Sequence, residues 1–366
     1  MDKRIKIAMV ANNLELNGIS SVIVNYCTHI DKEKFDIAVL VGAPINPSNR
    51  KKCQDAGAEV IELPSKRTDS KAFYKALNVA LKGRDIDIFH VHGNGTVMSA
   101  ELAIAKHNHI KHRIAHSHNT TCGHLELHKI LRPAFDYLVT DAFACGEDAG
   151  HWLFPNRSFV VIPNGFDIDK FIFDPEVRQD IRNELGIQDD ELVLGHIGRI
   201  NSQKNQKFLL QIFEQIAKEN ERTRLLMVGI GPEYDEVKQM VSDSPYKDRI
   251  TMYGESMHPE KMYSAIDEFV FPSRYEGLPI TLLEAQINGL PCTVSDVITD
   301  EVIINDNVKK EALSAGASVW KNATLKNTKR CHTDYDKFAQ FRIEDDVKKL
   351  EYEYFRIMGE EKDANL

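Results

Sequence analysis

Short apolar runs alternate with amphipathic ones along almost the whole chain, and this alternation limits the fold more than any single residue does. Strand-like runs are read at 6–11, 35–41, 59–63, 86–92, 113–116, 142–145 and 159–162, and again at 192–197, 224–228, 250–253, 269–271, 292–294 and 318–320. Helical spacing fills the gaps: in 71–81, Ala72, Phe73, Ala76, Leu77, Ala80 and Leu81 share one face. Apolar strands separated by helices build parallel sheets covered on both faces. A chain of 366 residues is long enough for two such cores. The turn chemistry of Ile162-Pro163-Asn164-Gly165-Phe166-Asp167 puts the junction near Phe166. The expectation is an α/β protein of two Rossmann-like domains, 1–165 and 166–342, followed by a tail helix within 343–366. Val347, Leu350, Tyr354 and Ile357 form the apolar stripe of that helix.

The densest punctuation lies in 268–296, EFVFPSRYEGLPITLLEAQINGLPCTVSD. Pro272 ends a buried strand, and a helix begins near Pro279 and stops at Gly289. Glu276 precedes that helix and Glu284 lies in its first turn. Between them the backbone N–H groups of Ile280 and Thr281 are expected to be unpaired donors at a helix start, a setting that favours an anion. Two carboxylates flanking an anion pocket suit a diphosphate with hydroxyls on either side. The competing structural reading is a capping box, Thr281-x-x-Glu284, with Glu284 bonded back to a backbone N–H.

Net charge of −9 and a pI near 5.9 argue against nucleic acid as partner. The six cysteines are scattered with no CxxC pair, which points to reduced thiols in a cytoplasmic chain. No run approaches the ~20 apolar residues that span a bilayer. A cluster of Arg50, Lys51, Lys52, Lys66, Arg67, Lys71 and Lys75 is either a solvated face or a peripheral approach to an anionic membrane surface.

The strand–Pro-Ser-x-x-Glu-Gly stretch, then Leu-Glu-Ala and Gly-x-Pro before the next strand, resembles the nucleotide-sugar motif of retaining glycosyltransferases of family 4. Its Glu-Gly-Leu-Pro form is similar to a branch concerned with exopolysaccharide and capsule assembly. The resemblance implies the GT-B fold, two Rossmann-like domains facing a cleft, with the last helix crossing back to the first domain. It implies that Glu276 contacts the transferred sugar and Glu284 the ribose. Gly277, Leu278, Ile280 and Thr281 then line the donor, and Pro279 withholds the N–H that another residue would offer. Gly198-Arg199, four residues, then Lys204 resembles the family's pyrophosphate clamp. Gly18 matches a glycine-rich donor loop, and Gly254 and Glu255 lie where the base is read by backbone groups. On dipole grounds alone, with Ser202 as the expected N-cap, Lys204 and Lys207 would oppose the following helix, and a bound anion would relieve them.

Histidines crowd the segment 107–128: His107, His109, His112, His116, His118, His124 and His128. An HxH on a strand puts two imidazoles on one face, so a metal module is one rival reading. The resemblance places the active-site histidine at His116, first past the strand, with His118 second on the same face and open to acceptor or sugar. It implies retaining transfer from a nucleoside diphosphate sugar, a UDP-sugar, to a glycan or lipid-linked saccharide, with no metal or other cofactor. The other rivals are an epimerase or hydrolase acting on the same donor, and a non-catalytic sugar-nucleotide sensor.

Overall fold

The structure is a computed structural model and describes residues 4–15, 17–276, 278–326 and 329–359. Gly277 and the tail beyond residue 359 lie outside the described residues. The chain divides into two compact units: one takes the described residues up to Phe166 and those from Gln340 onward, the other Asp167–Ala339.

In the first unit β1 (Ile5–Ala11), β2 (Phe35–Gly42), β3 (Glu59–Leu63), β4 (Ile88–Gly93), β5 (His112–Ser117), β6 (Asp141–Ala144) and β7 (Val160–Val161) form one parallel sheet in the order β3-β2-β1-β4-β5-β6-β7. Successive β1 side chains go to opposite faces. Ile7 and Met9 join the apolar layer on one side, and Ala8 and Val10 the layer on the other. That two-sided burial is why β1 reads as an unbroken apolar run. The helix Ile343–Met358 packs on this unit. Its Val347, Leu350 and Tyr354 are buried, and Tyr354 and Phe355 lie against the Phe35 ring at 5.8 and 5.1 Å. Gly165 permits this contact, since a Cβ there would lie 2.3 Å from Asp346 Oδ2 and 2.8 Å from Ile343 Cα.

In the second unit β8 (Leu192–Ile197), β9 (Thr223–Val228), β10 (Ile250–Gly254), β11 (Glu268–Phe271), β12 (Cys292–Ser295) and β13 (Val308–Glu311) make a parallel sheet in the order β10-β9-β8-β11-β12-β13. One expected strand is wrong. Residues 318–320 belong to the helix Ala317–Lys326, where Trp320, Ala323 and Thr324 bury one face and the Trp320 indole N–H donates to the Ala312 carbonyl at 2.9 Å. The sixth strand is instead Val-Lys-Lys-Glu. Among the described residues it pairs with β12 alone, and the charge that hides it from an apolar pattern is what a sheet edge carries.

Among the described residues no helix is long and apolar enough to cross a membrane. All six cysteines are free thiols.

Candidate active site

In the second unit the chain runs β8, β9, β10 to one side and returns to place β11 on the other side of β8. That reversal opens a crevice at the carboxyl ends of β8 and β11, where open α/β sheets bind ligands. The loop after β8 carries Arg199 and Lys204, and the loop after β11 carries Glu276. The sheet order thus brings together residues far apart in sequence.

The two loops are stitched to each other. Arg274 N–H donates to the Gln203 carbonyl at 2.8 Å, and Asn205 Nδ2 to the Pro272 carbonyl at 3.1 Å. Lys204 Nζ lies 2.8 Å from Glu276 Oε1, with both side chains largely buried, and 4.6 Å from the centre of the Phe271 ring. Gln203 Nε2 adds a bond to Glu276 Oε2 at 3.3 Å. Beneath them His196 donates from Nδ1 to the Val270 carbonyl at 3.0 Å, which leaves Nε2 to accept from Gln206 at 3.2 Å. The same Gln206 amide bonds the Arg199 carbonyl at 3.0 Å. Burial lowers the His196 pKa to about 4, so the ring is a neutral strut under the loop. The Gly229-Ile230-Gly231 loop closes the neighbouring edge. A Cβ on Gly229, whose φ is +135°, would lie 2.1 Å from the Gly198 carbonyl oxygen.

Several expectations need correcting here. The helix after Lys204 is Gln206–Ala217, and its cap is Asn205 in the left-handed region (φ 60°), not Ser202. Lys204 therefore precedes the helix, and Lys207 pairs with Glu236 at 2.7 Å and Glu233 at 3.4 Å. The helix Ile280–Ile287 has no side-chain cap, so the capping box does not form. Glu284 instead accepts from the Tyr263 hydroxyl, because it is buried against the helix that carries Tyr263. Burial raises its pKa to about 7, opposed by that hydroxyl. The Ile280 N–H bonds the Leu278 carbonyl at 3.0 Å and is not a free donor. Thr281 Oγ1 and Ser273 Oγ are buried without a partner among the described residues, so both can bond a ligand. Arg199 is exposed and in no ion pair among the described residues. Gly254, with φ +80°, ends β10 and its carbonyl accepts from Gly229 N at 2.7 Å; Glu255 beside it is exposed.

In the first unit, Gly18 opens the helix Gly18–His29 behind the Asn17 cap, exposed and with open space around it. The sequence crowd of histidines disperses: His107, His109 and His124 are exposed, and only His116 and His118 enter a cluster. They are joined by His90 and His92 from β4, the strand beside β5. His90 Nε2 lies 3.1 Å from His116 Nδ1, and His92 Nδ1 lies 2.9 Å from His118 Nε2. His90 stacks on His92 at 4.2 Å and His116 on His118 at 4.3 Å. Tyr354 OH lies 2.7 Å from His90 Nδ1, and Tyr26 flanks His92 and His116 at 6.2 and 6.5 Å.

Burial lowers all four imidazole pKa values, His90 to about 3 and His118 to about 4, with neighbouring rings adding to the effect on His90, His92 and His116. One nitrogen from each of His90, His92 and His116 lies within 4.8 Å of the others, as ligands to a small cation would. The contacts drawn between the rings, however, are hydrogen bonds of one imidazole to the next. His116 is completely buried, whereas His118 is partly exposed just past the strand end. The sequence signal for the missed pair was His90-Val-His92-Gly93, a second HxH closing a strand.

The basic cluster is partly neutralised. Arg50 pairs with Glu62, Lys51 with Asp55 and Lys66 with the buried Glu101.

Two family models match the chain: "Glycosyltransferase Family 4" over residues 16–170 and "Glycosyl transferases group 1" over residues 177–322. EpsF of Bacillus subtilis (strain 168), provisionally named a glycosyltransferase, is 27% identical over 329 residues, spanning 86% of this chain and 85% of that protein. The UDP-Gal:alpha-D-GlcNAc-diphosphoundecaprenol alpha-1,3-galactosyltransferase of Escherichia coli is 31% identical over 151 residues, 40% of this chain and 38% of that one. Among solved structures, Anabaena HepE in complex with UDP and glucose superposes with a TM-score of 0.74 at 14% identity, covering 96% of this chain and 100% of that one. With a glycosyltransferase family model on each parallel-sheet unit, and a relative named for sugar transfer along most of its length, the chain is a glycosyltransferase of the GT-B fold.

Proposed function

We propose that the protein transfers a sugar from a UDP-sugar to a glycan or lipid-linked saccharide, with retention at the anomeric carbon and without a metal. The observation that carries the donor half is the Lys204–Glu276 pair at the β8/β11 reversal. It sets a buried cation for the diphosphate beside a carboxylate for the sugar. Arg199 would take the outer phosphate oxygens, and Glu284 with its Tyr263 partner would accept from the ribose. The nucleotide preference draws on the UDP held by the Anabaena structure and on the UDP-Gal donor of the Escherichia coli relative. In the first unit the ligand-facing ring is His118, since His116 is wholly covered.

The test is a donor screen by mass spectrometry, with and without membrane lipid extract. UDP release that requires extract is expected, together with an α-linked product. Release without any acceptor would replace the reading by hydrolysis. Loss of donor without release would replace it by epimerisation, and a melting-temperature rise with no turnover would point to a sensor.

Lys52, Arg67, Lys71 and Lys75 remain exposed, and they are the surface proposed for contact with an anionic membrane. Co-sedimentation with phosphatidylglycerol vesicles should fall as salt rises; no binding at low salt would remove the proposal.

A further inference from the structure

Glu284 does not offer a ligand both of its oxygens. Oε2 accepts from the Tyr263 hydroxyl at 2.5 Å, whereas Oε1 has no partner among the described residues, and the side chain is half-buried. That length is typical of a charge-assisted O–H···O⁻ bond, the stronger kind. The hydroxyl has a single proton to give, and the Thr281 carbonyl, at 3.4 Å, has the weaker claim on it.

The tyrosine is placed by groups that do not depend on a ligand. It is fully buried on the helix Pro259–Ala265, with the Phe171 and Phe269 rings at 5.8 and 5.9 Å. Its carbonyl accepts from Arg330 at 3.1 Å, and the same guanidinium bonds the carbonyls of Ser264 and Ile266. A ring packed in this way keeps its hydroxyl in place, and the more flexible glutamate adjusts to it. A free glutamate would lose rotamer freedom when a ligand ordered it. The Tyr263 bond removes much of that loss in advance.

The consequence falls on the nucleoside. A carboxylate with both oxygens free could turn to whichever ribose hydroxyl was present. A pinned one presents a single oxygen whose two lone-pair sites can accept from both hydroxyls of a cis-diol. We propose that Tyr263 is a positioning residue that pins Glu284 Oε2, so that Oε1 alone receives the ribose 2′- and 3′-hydroxyls and the site discriminates against deoxynucleotides. This rests on the reading of Glu284 as the ribose carboxylate.

The test is calorimetry of the full chain with UDP, 2′-deoxy-UDP and 3′-deoxy-UDP. Wild type is expected to bind each deoxy analogue roughly tenfold more weakly than UDP, the lower end for a hydrogen bond to a charged group. Tyr263→Phe keeps the ring and removes only the hydroxyl. It should lose most of that preference, with UDP weakened by roughly tenfold and the analogues much less. A preference measured within one variant does not depend on how stable that variant is. Glu284→Ala should erase the preference, and adding Tyr263→Phe to it should change nothing further, because the two side chains act through one bond. If wild type does not bind UDP or shows no preference, or if Glu284→Ala keeps it, the ribose reading falls and the proposal falls with it. If Glu284→Ala erases the preference but Tyr263→Phe retains it, the ribose reading stands and the positioning role is overturned. Equal weakening of all three nucleotides in Tyr263→Phe, or an additive loss in the double variant, would reduce Tyr263 to a packing residue and overturn it likewise.

Discussion

Lys204→Ala is expected to lower sugar transfer by roughly 10²–10³-fold, the loss that follows removal of one preorganised partner from a developing negative charge. The ammonium is held by geometry that does not depend on substrate: its backbone N–H bonds Asn201 Oδ1 at 2.9 Å, and its Nζ sits over Phe271 and against Glu276. With no donor bound, Glu276 is the counter-ion, so a diphosphate must compete with it for Lys204. Glu276→Gln therefore has a divided signature. UDP should bind more tightly, because the competing charge is gone, while transfer slows because the carboxylate proposed for the sugar is lost. Removing Lys204 alone strands a buried carboxylate, which costs about 3–5 kcal/mol. The double variant Lys204→Ala/Glu276→Gln should regain most of that stability without regaining turnover. Stopped-assay kinetics, UDP calorimetry and denaturant midpoints separate the three effects. Transfer by Lys204→Ala within a few-fold of wild type would sink the clamp assignment.

The parts of this site that were legible in the sequence are those whose cause is local. Strand–Pro–loop–helix punctuation located Glu276 and Glu284, and the alternation of strands and helices located both sheets. The failures came where a local pattern competes with a distant partner. Thr281-x-x-Glu284 has the spacing of a capping box, but the buried Tyr263 hydroxyl, 21 residues earlier, takes the carboxylate. Ser202 has the chemistry of an N-cap, but the 201–205 turn runs on to Asn205 because Asn201 bonds Lys204 N and Asn205 bonds Pro272. Val308–Glu311 was passed over because an edge strand is charged for the same reason that a central strand is apolar. The histidine block is the plainest case. Its rungs join residues 26 apart, and its tyrosine anchor is 264 residues from His90. Periodicity showed that His116 and His118 share a face; only the order of strands shows that His90 and His92 share it with them.

The other large effect is acid sensitivity, and it should have opposite signs in the two units. His90, His92, His116, His118 and His128 in the first unit all have pKa values lowered, burial being the leading cause. A depressed folded pKa contributes stability that is present above the unfolded value of about 6.5 and is lost as pH falls through the folded one. For His118 and His90 that loss runs down to about 4 and about 3. Buried acids act in the other sense. Asp346 is raised to about 8 and Glu351 is raised, both chiefly by burial. Their contribution is complete below the unfolded carboxyl value and is lost as pH rises through the folded one. Five imidazoles against two acids leave the first unit a net loser between about pH 6.5 and 4.5. In the second unit His196 is lowered, and Glu191 is lowered within the carboxylate range below this window, against Glu284, raised to about 7, and Glu268, raised well above its usual range. That balance favours acid. The two tryptophans allow the units to be read separately, since Trp152 lies in the first and Trp320 in the second. Trp320→Phe leaves fluorescence from the first unit and Trp152→Phe from the second, and any cost of either substitution cancels when one variant is compared at two pH values. From pH 7 to pH 5 the Trp152 unfolding midpoint should drop while the Trp320 midpoint holds or rises. Midpoints that fall together would mean that the histidine block is hydrated or charged in the folded chain, and that the dry, neutral ladder assigned to β4 and β5 is wrong.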